Sequence, residues 1–162
     1  MRKMISHLMI LSCIFYSANS FSVSVSVDKL KAAYILKFIP FITWEHGSTI
    51  TLIGAQEEEL LNSLNELISK KENIRIFKYT KHQNYSIVYL NCEHKLSQKK
   101  LLEYQESSTL LISSCEEDID NGVMINFVVV DDKLKFKINN TSANNSKIKI
   151  SSQLLKLALV VK

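Results

Sequence analysis

Apolar positions along the chain follow two rhythms, one of period three to four and one of period two. Leu30, Ala33, Tyr34, Phe38, Phe41 and Ile42 recur at helical spacing, and Asp28 is placed to cap the helix they predict. Pro40 should loosen its last turn, and Trp44-Glu45-His46-Gly47 should end it. "STITLIGA" (48–55) reads as a short buried strand leading into "QEEELLNSLNELISKKE", a helix with acids in its first turn and lysines in its last. "NIRIFKYT" alternates as a strand, and "YSIVYLN" (85–91) is a continuous apolar run. "SQKKLLEYQES" is a helix that Ser97 can cap, and "STLLISS" is another apolar run. "GVMINFVVVDDKLKFKIN" (122–139) is a hairpin: its first half is apolar on both faces apart from Asn126. Its second half alternates Leu134, Phe136 and Ile138 with Lys133, Lys135 and Lys137. A polar Asn/Ser stretch, a brief extended "KIKI" and a closing helix in "SSQLLKLALVV", capped by Ser151 or Ser152, complete the chain.

Strands alternating with helices predict a parallel sheet with helices on its faces, a Rossmann-like three-layer α/β sandwich. Runs 85–91 and 109–114 are joined by one helix, so they should be parallel and neighbours or nearly so. The hairpin extends the sheet antiparallel, with the lysine strand at or near the rim. A row of lysines there keeps an unpaired edge from recruiting another chain.

Residues 1–20 carry Arg2 and Lys3, an apolar run over 4–16, and a small-residue stretch ending at Ser20. That is the pattern of a secretory signal peptide cleaved near Ser20, too short for a permanent span. A lipidated Cys13 is the alternative. Residues 21–162 are expected to form a single domain. They retain 18 basic against 16 acidic residues, a net of +2 with the signs interspersed, which gives no nucleic-acid footprint. Cys92 and Cys115 follow two strands expected to be parallel, so both sit at the same end of the sheet. In an oxidising compartment they are a disulfide candidate; two buried free thiols are the other reading.

Little here carries chemistry. The part after residue 20 has only Gly47, Gly54 and Gly122, so there is no glycine-rich phosphate loop. "IGAQEEE" opens a helix where an anion could sit, but Glu57, Glu58 and Glu59 would repel it. Cys92-Glu93-His94 with His82 or His46 lacks the paired spacing of a zinc site. Glu116, Glu117, Asp118 and Asp120 lack the alternate ligands and central glycine of a calcium loop. No serine stands in an elbow-like motif. No catalytic residue, metal or cofactor is expected, which leaves the surface. Met124 and Ile125, with Trp44 and Phe41 near a helix end, are apolar residues beside turns. Each is either core or partner contact.

Three segments carry a resemblance. "KAAYILKFIPFITW" (31–44), "GVMINFVVVDDKLKFKIN" (122–139) and "KIKISSQLLKLA" (147–158) resemble, in order, the opening, hairpin and closing segments of the YfiR/HmsC-like family of exported proteins. The chain departs from that pattern at Val123, where a second glycine is usual, and at Lys137, where an acid is usual; it also lacks the cysteine pair often found near the hairpin. The resemblance implies a periplasmic α/β regulator that binds the external domain of a membrane diguanylate cyclase and holds it inactive, with homodimers among its relatives. Expected partner contacts are Met124, Ile125, Lys137 and the turn from Asn139 to Ala143, and Ile125→Asp is expected to abolish repression with the fold intact. A small-ligand-binding sensor acting through a kinase or transport complex is the alternative.

Overall fold

The computed structural model describes residues 26–45, 47, 50–68, 73–81, 83–93 and 97–162. The expected signal peptide, Lys70 and Lys71 at the end of the second predicted helix, and His46, His82 and His94 lie outside these residues.

A six-stranded sheet in the order β3-β2-β4-β5-β6-β7 organises the chain. Its strands are β2 (Thr51–Ala55), β3 (Ile74–Lys78), β4 (Ile87–Leu90), β5 (Leu110–Ser113), β6 (Ile125–Val130) and β7 (Lys133–Ile138). The first five are parallel and β7 is antiparallel to β6, as the alternation of helices and strands requires. The hairpin turns at Asp131 and Asp132, both at positive φ (50° and 56°), the two-residue geometry whose twist matches the flanking strands. Order reverses between β2 and β4, because β3 lies on one side of β2 and all later strands on the other.

α1 (Val27–Phe38) and α2 (Glu58–Ile68) pack together on one face, and α3 (Gln98–Glu106) lies over a second cluster of core residues. α1 is capped by Ser26, whose Oγ accepts from the Lys29 N–H at 3.1 Å, rather than by Asp28. Ser97 caps α3 as expected. Tyr34 and Phe38 of α1 meet Phe127 of β6 and Phe136 of β7 with ring centroids 4.9–6.1 Å apart. That aromatic layer seats the helix on the hairpin. On the other face, Gly54 admits Tyr85: a Cβ there would stand 2.8 Å from its ring.

Three segments differ from expectation. The first helix does not run to residue 46. Pro40 falls in a 3₁₀ turn, and β1 (Ile42–Trp44) then pairs antiparallel with β8 (Ile148–Ile150), forming a separate two-stranded sheet. The Asn/Ser stretch forms α4 (Asn140–Asn145), capped by Asn139. The closing helix is only α5 (Ser152–Leu155), capped by Ser151. Beyond it the chain extends along the outer border of β7, where Leu159 N–H donates to Phe136 O at 2.8 Å and Ile138 N–H to Val160 O at 2.8 Å. β-Branched Val160 and Val161 gain this main-chain pairing in place of a short helix that little supports. β7 ends the sheet as expected, yet its last residues are sealed by the tail.

Candidate functional site

β5 pairs with β6 only at Ile112–Ile125 and Ser113–Asn126. Beyond Ser113 the chain turns through Ser114 and Cys115 into a 3₁₀ turn at Glu116–Ile119, so β6 runs on for four residues without a strand on that side among the described residues. A groove of about 410 Å³ lies there. Consecutive residues Phe127, Val128, Val129 and Val130 all line it, as do Val27 and Lys31 of α1. Side chains of successive strand residues point to opposite faces, so a groove touched by four in a row follows the side border of the strand. Val129 is 63 % exposed, and Val27 and Leu159 are also exposed.

The wall behind the groove is polar and part-buried, with only Tyr89 fully buried. Lys31 reaches from α1 over the end of β4, its Nζ 3.1 Å from Asp28 Oδ1, 3.9 Å from Glu57 Oε2 and 5.5 Å from the Tyr89 ring centre. Tyr89 and Ser114 share a hydrogen bond between their hydroxyls. Burial pulls the Lys31 pKa down, but the Tyr89 hydroxyl and the two carboxylates outweigh it, and the net shift is upward. Burial raises Glu57 despite the opposing lysine, and raises Tyr89 despite its bond to Ser114. A lysine so paired stays protonated at neutral pH. It locks α1 onto the strand ends and is unsuited to act as a base.

Cys92 and Cys115 are joined in a disulfide with Cα atoms 5.0 Å apart, tying the ends of β4 and β5. Placing both residues at one end of neighbouring parallel strands is what makes that distance short. Asn126, fully buried on β6, donates from Nδ2 to the Cys115 carbonyl, while the Cys115 N–H donates to Ser113 Oγ at 3.0 Å. Bonding occupies the Cys92 thiol that a Cys-Glu-His metal arrangement would have needed. Among the described residues, no cluster of three metal-ligating side chains occurs.

Of the residues expected at a partner contact, Met124, Ile125 and Ala143 are 0 % exposed. This corrects that expectation: β6 is covered by β5, β7 and α1 at its start, so its first residues belong to the core. Ala143 sits on the buried side of α4. Asn139 is half-buried and structural: Oδ1 accepts from Ser142 N–H at 2.9 Å, and Nδ2 donates to Ile119 O at 2.9 Å. Lys137 alone reaches the groove, with Nζ 3.2 Å from Glu116 Oε1. Sequence patterning does not mark Val27, Lys31, Val129, Leu134 or Leu159 as residues of a groove. The signal was a length mismatch, since the apolar run of β6 outlasts that of β5.

A second cavity, about 540 Å³, lies on the β1–β8 side and is lined by Thr43, Trp44, Glu45, Asn144, Lys147, Ile148 and Lys149. Trp44 Nε1 is buried without a hydrogen-bond partner among the described residues.

Among solved structures, the chain is similar to a "conserved domain protein" from Vibrio cholerae O1 biovar El Tor strain N16961, at 13 % identity and a TM-score of 0.52. The match covers 86 % of this chain and 61 % of that one, and it supports the mixed α/β fold with its mostly parallel sheet. No functionally curated protein matches the chain. The family model described as YfiR/HmsC-like matches residues 28–159, from the first turn of α1 to the tail that borders β7. The chain therefore belongs to the YfiR/HmsC-like family.

Proposed function

We propose that this protein is an exported, non-enzymatic regulator that binds the periplasmic domain of an inner-membrane diguanylate cyclase and holds it inactive. Cyclic diguanylate and biofilm formation would fall as a result. Membership of the YfiR/HmsC-like family carries this reading, since the family supports periplasmic regulation of diguanylate cyclase signalling. Two features agree with it: the disulfide suits an oxidising compartment, and the groove beside β6 offers apolar surface for a partner. No helix among the described residues is long and apolar enough to cross a membrane. Repression is then a linkage effect: the regulator binds the inactive cyclase more tightly and shifts its population by that difference in affinity.

The test is direct binding of the purified protein to the external domain of a GGDEF-containing membrane protein from the same genome, with cyclic diguanylate measured in cells with and without the gene. Unchanged cyclic diguanylate and no binding to any such domain would refute the reading. A small-ligand sensor is the second reading, favoured by the 540 Å³ cavity with its unpartnered indole N–H beside Glu45 and Lys147. A metabolite that protects the wild type against melting, but not Trp44→Ala, would support it.

A further inference from the structure

We infer that the groove beside β6 is a strand-addition site, and that its occupant is an extended partner segment alternating apolar and acidic residues. This rests on the reading that the groove is where the partner docks.

Main-chain direction comes first. Ile138 turns its N–H and C=O outward to the tail (2.8 and 2.9 Å), so Phe136 and Leu134, two and four residues away, turn outward as well. Their register partners Phe127 and Val129 must then face away from β7, toward the side on which β5 has ended. Among the described residues, Val129 has no main-chain hydrogen bond there. An added strand would continue the line of β5 and meet those groups.

Side chains then set its chemistry. On the α1 face, the added strand would meet Val27 and Val129, which are apolar and exposed. On the other face, Val128 stands beside Lys135 and Val130 beside Lys133. Lys137 shows what this row does: its ammonium crosses β6 over Asn126 to reach Glu116, on the β5 side. Lys135 and Lys133 have no acidic partner within ion-pair distance among the described residues. Acids on the added strand would stand to them as Glu116 stands to Lys137. The lysine row is therefore a reader of strand charge.

The probe is an acetylated, amidated heptapeptide of alternating valine and glutamate, titrated into the protein while the amides of residues 127–130 are followed by NMR. Saturable shifts at those amides are expected, with at least tenfold weaker binding of the valine–lysine counterpart. Lys133→Glu with Lys135→Glu should reverse that preference. Val129→Pro removes only an N–H the fold does not use, so binding should drop at least tenfold with melting nearly unchanged. Should that variant unfold, an N-methylated peptide tests the same bonds on the wild type. Equal binding of both charges, or undiminished binding of the N-methylated peptide, overturns the inference. So does self-association through the groove that the peptide fails to displace. Peptide binding only after removal of residues up to 25 also overturns it, because the chain's own upstream segment would then be the occupant. Cyclase-domain binding that survives Val129→Pro defeats strand addition alone, whereas peptide binding without any cyclase binding defeats the proposed function alone.

Discussion

Reducing the Cys92–Cys115 bond should lower stability by an amount its position sets. The two residues are 23 apart in sequence, and closing a loop of that length removes denatured-state entropy worth about 3.4 kcal/mol at 25 °C. That segment contains α3 and β5, whose pairing with β4 must otherwise be bought from the open chain. Few contacts are at stake, since Cys92 is exposed and Cys115 half-buried, so cavity terms add little. For a domain of this size the loss corresponds to a fall in Tm of about 10 °C. Thermal unfolding followed by far-UV circular dichroism, with and without a phosphine reductant, measures it. Cys92→Ser with Cys115→Ser should melt at the reduced protein's temperature and ignore the reductant. A fall below about 3 °C, or a double variant that still responds, would show that the bond does not restrain the unfolded chain as supposed.

Ile125→Asp should destabilise the fold by at least about 3 kcal/mol, because it buries an unpaired carboxylate in the core between β5 and β7; a chemical-denaturation midpoint equal to wild type would contradict this. Gly54→Ala should cost about 1–3 kcal/mol, since its Cβ meets the Tyr85 ring at 2.8 Å, and denaturation together with tyrosine fluorescence reads both effects. Alkaline pH should weaken the fold. Burial, then the bond to Tyr79, holds the Tyr104 pKa well above the usual phenol value, and Tyr89 and Lys31 are also raised. Such groups release protons more readily when unfolded, so their stabilising effect is complete below about pH 10 and is lost as pH rises beyond it. Tm should fall from about pH 10 upward, and Tyr104→Phe should flatten that slope; an identical slope would assign the loss elsewhere.

Much of the layered architecture was legible because period and position agree. The apolar runs 85–91 and 109–114, joined by one helix, read as parallel strands, which put the two cysteines at one end of the sheet, where they are bonded. What was illegible depended on tertiary alternatives. Phe41 and Ile42 continue a helical stripe, but Pro40 puts Phe41 in a 3₁₀ turn and pairing with β8 draws Ile42 into strand β1. Val160 and Val161 look like the end of a helix, yet the bare border of β7 offers them hydrogen bonds that a four-residue helix does not. Met124 and Ile125 were suspected as surface because a turn precedes them. That turn is exposed at Asp120 and Asn121, yet the chain enters the core at Val123, and the sequence carries no signal for so abrupt a change. Lys137 was noticed for its charge, but the groove it serves comes from β5 stopping early, which only the register between strands reveals.

The tail changes the meaning of the lysine row. With residues 159–162 stitched to β7, that rim is already hemmed, so repulsive charges are not required to keep a stranger from zipping onto its final residues. Trimming those few residues would unpick the hem, freeing main-chain groups of Phe136 and Ile138 and the first N–H groups of α4, which donate to the Lys162 carbonyl. The shortened protein would then depend on the lysine row alone to turn strangers away, a guard posted at its margin rather than in its interior.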